Sequence, residues 1–238
     1  MDRYVPGIRT NWRSVSIMAT VLVLWVSWQP GVEMVLRTVF PGSTTVLYDR
    51  TPMWKFLLDH LMLTGIAAGL ALTMGSLLGV FVLSRAGSPF RDLVMRIANF
   101  GQAIPTVALM AIVVPAIGYG SKPVLLALVI YSVLPVLVNV VVGIESVPNS
   151  VLEAGRGMGM TSVERFWQLQ IPLALPVIMN GVRTMLVILV SAAAIGAVVG
   201  AGGLGVPILS GMAKFNNAVV IHGAIPAILL ALIVDRSL

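Results

Sequence analysis

Glu153-Ala154-Gly155-Arg156-Gly157-Met158-Gly159, continuing to Leu169-Gln170-Ile171-Pro172, is a polar stretch set between long apolar segments. Taken alone, residues 151–172 are either a solvated connection or a short docking helix. Glycines inside a short helix cost about 1 kcal/mol each relative to Ala, and a flexible linker tolerates them without that cost. Gly155 and Gly159, however, are spaced to share a face in a helix, and small residues at that spacing let another backbone approach closely. Glu153, Arg156, Glu164 and Arg165 suit a polar protein partner. Pro172 and Pro176 fit at or near the first turn of a helix that restarts afterwards. Both readings stay open on these residues alone.

The flanking segments decide the class. The 238 residues are 58% hydrophobic and 10% charged, against about 45–50% and about 25% in soluble domains. With a mean hydropathy of +0.99, the chain reads as an integral membrane protein made of one helical unit. It has no cysteine, so disulfides, thiolate nucleophiles and Cys-ligated metal sites are excluded. The net charge of +6 does not point to nucleic acid, because the basic residues sit at the ends of apolar runs, where lipid headgroups attract them.

A helix needs roughly 20 apolar residues to cross the hydrocarbon core. Residues 61–83 and 124–144 qualify, with Pro135 kinking the second of these, and residues 182–199 and 219–234 are shorter but almost uncharged. Residues 14–28 form a shorter first span with Trp25 and Trp28 as interfacial anchors. Residues 98–117 hold Asn99, Gln102, Pro105 and Pro115 and read as a bent or interrupted span. Residues 29–56 read as an extracytoplasmic loop. The expectation is an all-α polytopic bundle of about six spans forming a single domain over 1–238. Both termini then share a side with Arg3, Arg9, Arg13, Arg85, Arg91, Arg96, Arg156, Arg165, Arg183 and Arg236; Arg37, Arg50, Lys55, Lys122 and Lys214 lie opposite. This asymmetry places both termini, and residues 145–172, in the cytoplasm. The first span is uncleaved, since no small-x-small site follows it.

The polar stretch resembles the EAA loop of the membrane-spanning subunits of ABC importers: Glu-Ala-Ala, three residues, Gly, nine residues, Ile-x-Leu-Pro. Glu153, Ala154, Gly159, Leu169, Ile171 and Pro172 stand at the matching positions, with Gly155 in place of the third-position Ala. Gly101-Gln102-Ala103-Ile104-Pro105-Thr106, Gly118-Tyr119-Gly120, Tyr131-Ser132-Val133-Leu134-Pro135 and Gly200-Ala201-Gly202-Gly203-Leu204-Gly205 are similar to the osmoprotectant branch of that family. The similarity covers roughly 57–236, the core permease region. The resemblance implies a type I importer permease fold in a bacterial-type inner membrane. It implies that Glu153, Ala154, Gly155, Arg156, Gly159 and Pro172 form the segment that docks on a cytoplasmic ATPase dimer. It also implies a second permease, either a copy or a paralogue, and an extracytoplasmic binding protein. The solute would be a small zwitterion or quaternary ammonium compound of the betaine, choline, carnitine or proline type.

The chain itself is not expected to be an enzyme. A P-loop needs Gly-Lys before Ser or Thr, and no Gly-Lys pair occurs, so ATP and Mg belong to the partner. Polar groups within spans are the default solute contacts: Asn99, Gln102, Asn139 and Ser191, with interhelical hydrogen bonding as the competing reading of the amides. No dense aromatic cluster is present to hold a quaternary ammonium group, so tight recognition falls to the binding protein. His60 and His222 read as packed or interfacial rather than metal ligands, and Arg183 as snorkelling to the cytoplasmic interface. Two alternatives remain: a permease for methionine or another amino acid, and an ion-coupled secondary transporter or channel. The latter usually keeps ionisable groups at mid-membrane, and no Asp, Glu or Lys interrupts the spans assigned here.

Overall fold

The computed structural model describes residues 12–238; Arg3 and Arg9 of the charge count lie outside them. Every regular element among the described residues is helical. In chain order these are α1 (Trp12–Ser27), α2 (Gln29–Val39), α3 (Met53–Leu83), α4 (Arg91–Ala103), α5 (Thr106–Ile117), α6 (Ser121–Glu145), α7 (Asn149–Gly157), α8 (Ser162–Val199), α9 (Gly205–Ala213) and α10 (Asn217–Ser237). Four of them, α3, α6, α8 and α10, are each long and apolar enough to cross a membrane, and the count reaches six if the bent pairs α1–α2 and α4–α5 are one span each. The interruption expected within residues 98–117 is present: α4 and α5 meet at 95° around Ile104-Pro105.

Two expectations are corrected. Residues 29–56 are not all loop, because α2 occupies the first part. Pro30 supplies a helix-compatible start, and Val32 and Leu36, one turn apart, are buried against Val46 and Ala218. The second correction is at Pro172, which does not restart a helix. α8 runs through it, widened into a π-helical turn over Phe166–Gln170 that gives the proline ring room.

α6 lies at the centre: 67% of its apolar window is buried, against 28–39% for the other long spans. α8 packs along it at glycines. A Cβ on Gly181 would stand 2.7 Å from the Pro135 carbonyl oxygen and 2.6 Å from Asn139 Cβ, and one on Gly143 would stand 3.1 Å from the Ala174 carbonyl oxygen. Close backbone approach through small residues is the usual basis of helix association in lipid. α3 lies on another side of α6 in the same way, with Gly75 against Val136 and Gly79 against Val140.

Helix breaks in lipid must have their freed backbone groups satisfied, and here donors from neighbouring helices do it. Pro135 has no N–H for the Tyr131 carbonyl, and the Gln102 Nε2–H of α4 donates to it at 2.6 Å. Pro226 likewise frees the His222 carbonyl, which accepts from Trp25 Nε1–H of α1 at 3.1 Å. α8 tightens into a 3-10 turn over Ala194–Val199, and just before it the Val190 carbonyl accepts from His60 Nε2–H of α3 at 3.0 Å. His222 is fully buried, its Nδ1 accepting from the Tyr48 amide and its Nε2–H donating to Gln29 Oε1, both at 3.0 Å. Both histidines are therefore packed, as expected from the sequence.

Candidate functional site: a polar elbow and a cavity at the helix break

α7 leaves α6 through a short turn closed by Pro148, which is extended and cannot continue a helix. Leu152 of α7 and Phe166 of α8 pack onto the main core, fixing the element to the bundle. α7 ends in a left-handed Gly159 at φ +81°. The Met160 amide donates to the Gly155 carbonyl at 3.0 Å and the Gly159 amide to that of Arg156 at 2.9 Å, the Schellman arrangement that favours glycine at this position. Thr161 then caps α8. Its Oγ1 accepts from the Glu164 amide, while its own amide donates to Glu164 Oε2 at 2.7 Å, a reciprocal capping box. Arg165 closes the elbow, donating from Nη1 to the Met160 carbonyl at 2.6 Å and from Nη2 to Ser162 Oγ at 3.2 Å. An α8 of 38 residues is about 57 Å long, far more than the roughly 30 Å core, so its polar first turns stand outside the membrane. There the hydrogen bonds from the Thr161 amide and hydroxyl hold the exposed Glu164 carboxyl below its ordinary pKa.

The geometry revises the shared-face reading of the glycines. Gly159 lies beyond the helix end, so Gly155 and Gly159 do not form one face. Gly155 is buried within the elbow: a Cβ there would meet Leu169 Cδ1 at 2.8 Å and the Arg165 stem at 3.3 Å. Glu164 and Arg165 are spent on the elbow itself. The outward surface is made instead by Glu153, Ala154, Arg156, Gly157 and Met158, all exposed. No atom stands near where a Gly157 Cβ would be, so this small-residue surface is open to a partner. Pro172 sits deeper, just past the π turn. Thr161 escaped the sequence reading and Glu164 was read there as a docking charge, although the Thr-x-x-Glu spacing is a legible capping signal.

Of the four candidate solute-path residues, two come together. Gln102 and Ser191 line one cavity of about 460 Å³ with Thr106, Tyr131, Val187 and Ile195, a volume suited to a small molecule. Its single aromatic lining residue is Tyr131, which no spacing in the sequence marks. Asn99 is exposed and bonds back to the Met95 carbonyl, and Asn139 bonds to the Pro135 carbonyl beneath Gly181, so neither reaches this cavity. Arg183 does not snorkel freely: its Nε–H donates to Asp235 Oδ1 of α10 at 2.9 Å. Among the described residues no group of three His, Cys, Asp or Glu side chains could hold a metal ion.

Residues 71–238 match the model of a family described as "Binding-protein-dependent transport system inner membrane component". The chain is 38% identical over 184 residues to the glycine betaine/carnitine/choline transport system permease protein OpuCB of Bacillus subtilis, covering 76% of this chain and 82% of the relative. It is 38% identical over 184 residues to the osmoprotectant import permease protein OsmW of Salmonella typhimurium, covering 74% and 84%. Among solved structures it is similar to the MetNI methionine ABC transporter in an inward-facing conformation, with a TM-score of 0.63 at 25% identity over 79% of this chain and 97% of that one. The architecture is that of the type I importer permeases.

Proposed function

Because this chain belongs to the family of binding-protein-dependent transport system inner membrane components, we propose that it is the pore subunit of an ATP-driven importer of compatible solutes. The solute class is the small zwitterionic or quaternary ammonium one named for its relatives: glycine betaine, carnitine and choline. Identity of 38% over more than four-fifths of those relatives carries this reading; likeness to a methionine importer at 25% identity argues for the fold rather than the cargo. The chain acts as one transmembrane unit over 1–238, with its core permease region at 57–236. It pairs with a second permease, either a copy or a paralogue, and receives solute from an extracytoplasmic binding protein. ATP and Mg are held by a dimeric ATPase on the cytoplasmic side, and this chain carries no cofactor and no catalytic group of its own.

The coupling surface is the exposed side of α7: Glu153, Ala154, Arg156 and Gly157. Gly155 and Gly159 give it its shape, and Pro172 lies where the elbow enters the membrane part of α8. A rigid elbow is what transmission needs, because a ligand shifts a two-state equilibrium only through contacts that differ between the states. Force on α7 passes directly to α6 and α8, the helices that bring Tyr131 and Ser191 to the cavity. Gln102, Tyr131 and Ser191 are proposed as solute contacts there, while Asn99 and Asn139 serve their own helices.

The test is reconstitution of the chain with its copurifying ATPase and binding protein in vesicles, followed by ATP-dependent uptake of radiolabelled glycine betaine, choline and methionine. ATP-dependent accumulation of the quaternary ammonium solutes over methionine is expected. Preference for methionine would overturn the solute class. A chain that reproducibly purifies without an ATPase and accumulates solute on an ion gradient would overturn the importer reading.

A further inference from the structure

α2 lies before the residues matched by the family model, and nothing in a coupling or solute role accounts for it. We infer that α2 is an amphipathic helix lying in the plane of the membrane, seated in the outer leaflet with Trp28, Val35 and Val39 against lipid. Its direction is the first ground. It leaves α1 at 94°, so if α1 crosses the membrane α2 runs along it. Its 11 residues are not needed for the return crossing, which α3 makes by itself with 31.

The distribution of its side chains is the second ground. Val32 and Leu36 face the protein and are buried. Trp28, Val35 and Val39 are 62%, 53% and 61% exposed, and at spacings of seven and four they form one strip. Glu33 and Arg37, ion-paired at 2.8 Å, lie on the opposite side of the helix from that strip. Met34 apart, which is 75% exposed beside the charged side, this is the three-way division of an interfacial helix: protein, hydrocarbon and water. The Trp28 indole lies over Gly31, where a Cβ would stand 2.5 Å from the ring, which extends the apolar strip along the helix. Trp at a span end is an interfacial anchor.

The third ground is continuity. Ile17, Val21, Val23 and Leu24 of α1 are large apolar side chains exposed on the membrane-crossing helix, and the strip on α2 continues from them around the corner at Trp28. The corner cannot swing away. Gln29 bonds to the Trp25 and Val26 carbonyls and to His222 of α10, and Asn216 of the α10 cap donates to the Thr45 carbonyl. The helix is thus held at the outer end of α10.

The chain has no cysteine, so single-cysteine variants can be made directly. Val35→Cys, Val39→Cys, Glu33→Cys and Arg37→Cys would each carry a nitroxide in the full chain, with its copurifying subunits, in phosphatidylethanolamine–phosphatidylglycerol vesicles. Collisions with oxygen should exceed those with a water-soluble nickel chelate at 35 and 39, and the order should invert at 33 and 37. Nickel reaching all four positions would overturn the inference by placing the helix in water, as a dock for a soluble protein would be. Exclusion of both reagents from 35 and 39 would also overturn it, showing that another protein chain covers the strip.

Discussion

Replacing Gln102 with leucine separates the two roles this side chain can have. Pro135 leaves the Tyr131 carbonyl without its helical donor, and Gln102 fills that place at 2.6 Å. Gln102→Leu strands the carbonyl. A buried polar group left unpaired costs about 1–3 kcal/mol, while hydrogen bonds between membrane helices average about 0.6 and reach about 1.7 kcal/mol. The expected loss is therefore about 1–2 kcal/mol, read as unfolding free energy of the purified chain in mixed micelles. Pro135→Ala restores an N–H to the helix, so the double variant should recover most of that loss. The double-mutant cycle should then give a coupling of about 1–2 kcal/mol in the recovering direction. Uptake measured on the same four proteins isolates solute contact. If Gln102 also touches solute, the KM raised by Gln102→Leu stays raised in the double variant although stability returns. Full stability of Gln102→Leu, or no recovery on adding Pro135→Ala, would refute the assignment of Gln102 to the orphaned carbonyl.

The elbow gives four further expectations. Gly159→Ala forces a side chain into φ +81° at about 1–2 kcal/mol, so amide exchange in residues 155–165 should quicken about 5–30-fold and ATPase copurification should weaken; unchanged exchange would contradict the cap. Gly155→Ala should keep uptake, since Ala gains about 1 kcal/mol of helix propensity and what must yield is the end of the Leu169 side chain, with a few tenths of an ångström from the Arg165 stem; lost uptake at unchanged stability would mean that Gly155 itself meets the partner. Glu153→Lys reverses an exposed charge with no ion pair among the described residues, so it should abolish ATPase association and uptake at unchanged thermal stability; normal uptake would move the coupling surface elsewhere. Glu164 has a lowered carboxyl pKa, so its capping contribution is present above the unfolded value of 4.5 and is lost as pH falls through the lower folded one. Protection of the first turn of α8, taken relative to the intrinsic exchange rate at each pH, should therefore be full at neutral pH and fall only in acid, and Glu164→Gln should remove that dependence; low protection at neutral pH would contradict it.

The spans were legible because lipid imposes a length and an apolar composition that a linear scan detects. The break at Pro105 was legible because proline acts locally. What escaped depends on residues far apart in the chain. α2 is short, and the surfaces that bury Val32 and Leu36 come from Val46 and from Ala218 on α10. Arg183 finds Asp235 across 52 residues, and one sequence holds no signal for that pair. The glycine spacing in the elbow was ambiguous in itself. Gly155 and Gly159, four apart, fit a shared helical face as well as a helix interior followed by its terminator, and Thr-x-x-Glu directly after Gly159 was the signal that separates the two. Gln102 and Ser191 were both singled out as polar groups in spans, but that they share a cavity while Asn99 and Asn139 do not depends on helix rotation, which apolar runs leave unspecified.

The three satisfied breaks constrain how the cavity can change width. The Gln102 side chain of α4 is tied to the Tyr131 backbone carbonyl of α6, so the two helices that form one wall are joined to each other. Ser191, on the other wall, follows Val190, whose carbonyl is held by His60 of α3. Straightening any of these bends would strand a carbonyl in lipid, where no water replaces the lost donor. The bends are therefore poor hinges, and α4 with α6, and α3 with α8, behave as tied pairs. Widening the cavity then requires α6 to move along α8. The two helices approach closely at Gly143 over Ala174 and at Gly181 over Pro135 and Asn139, with Met185 and Leu189 of α8 buried in the same core as Val136 and Val140 of α6. α7 joins adjoining ends of these same two helices. In the proposed coupling role, a push on the elbow would act on a helix contact that can change without breaking either of these two hydrogen bonds.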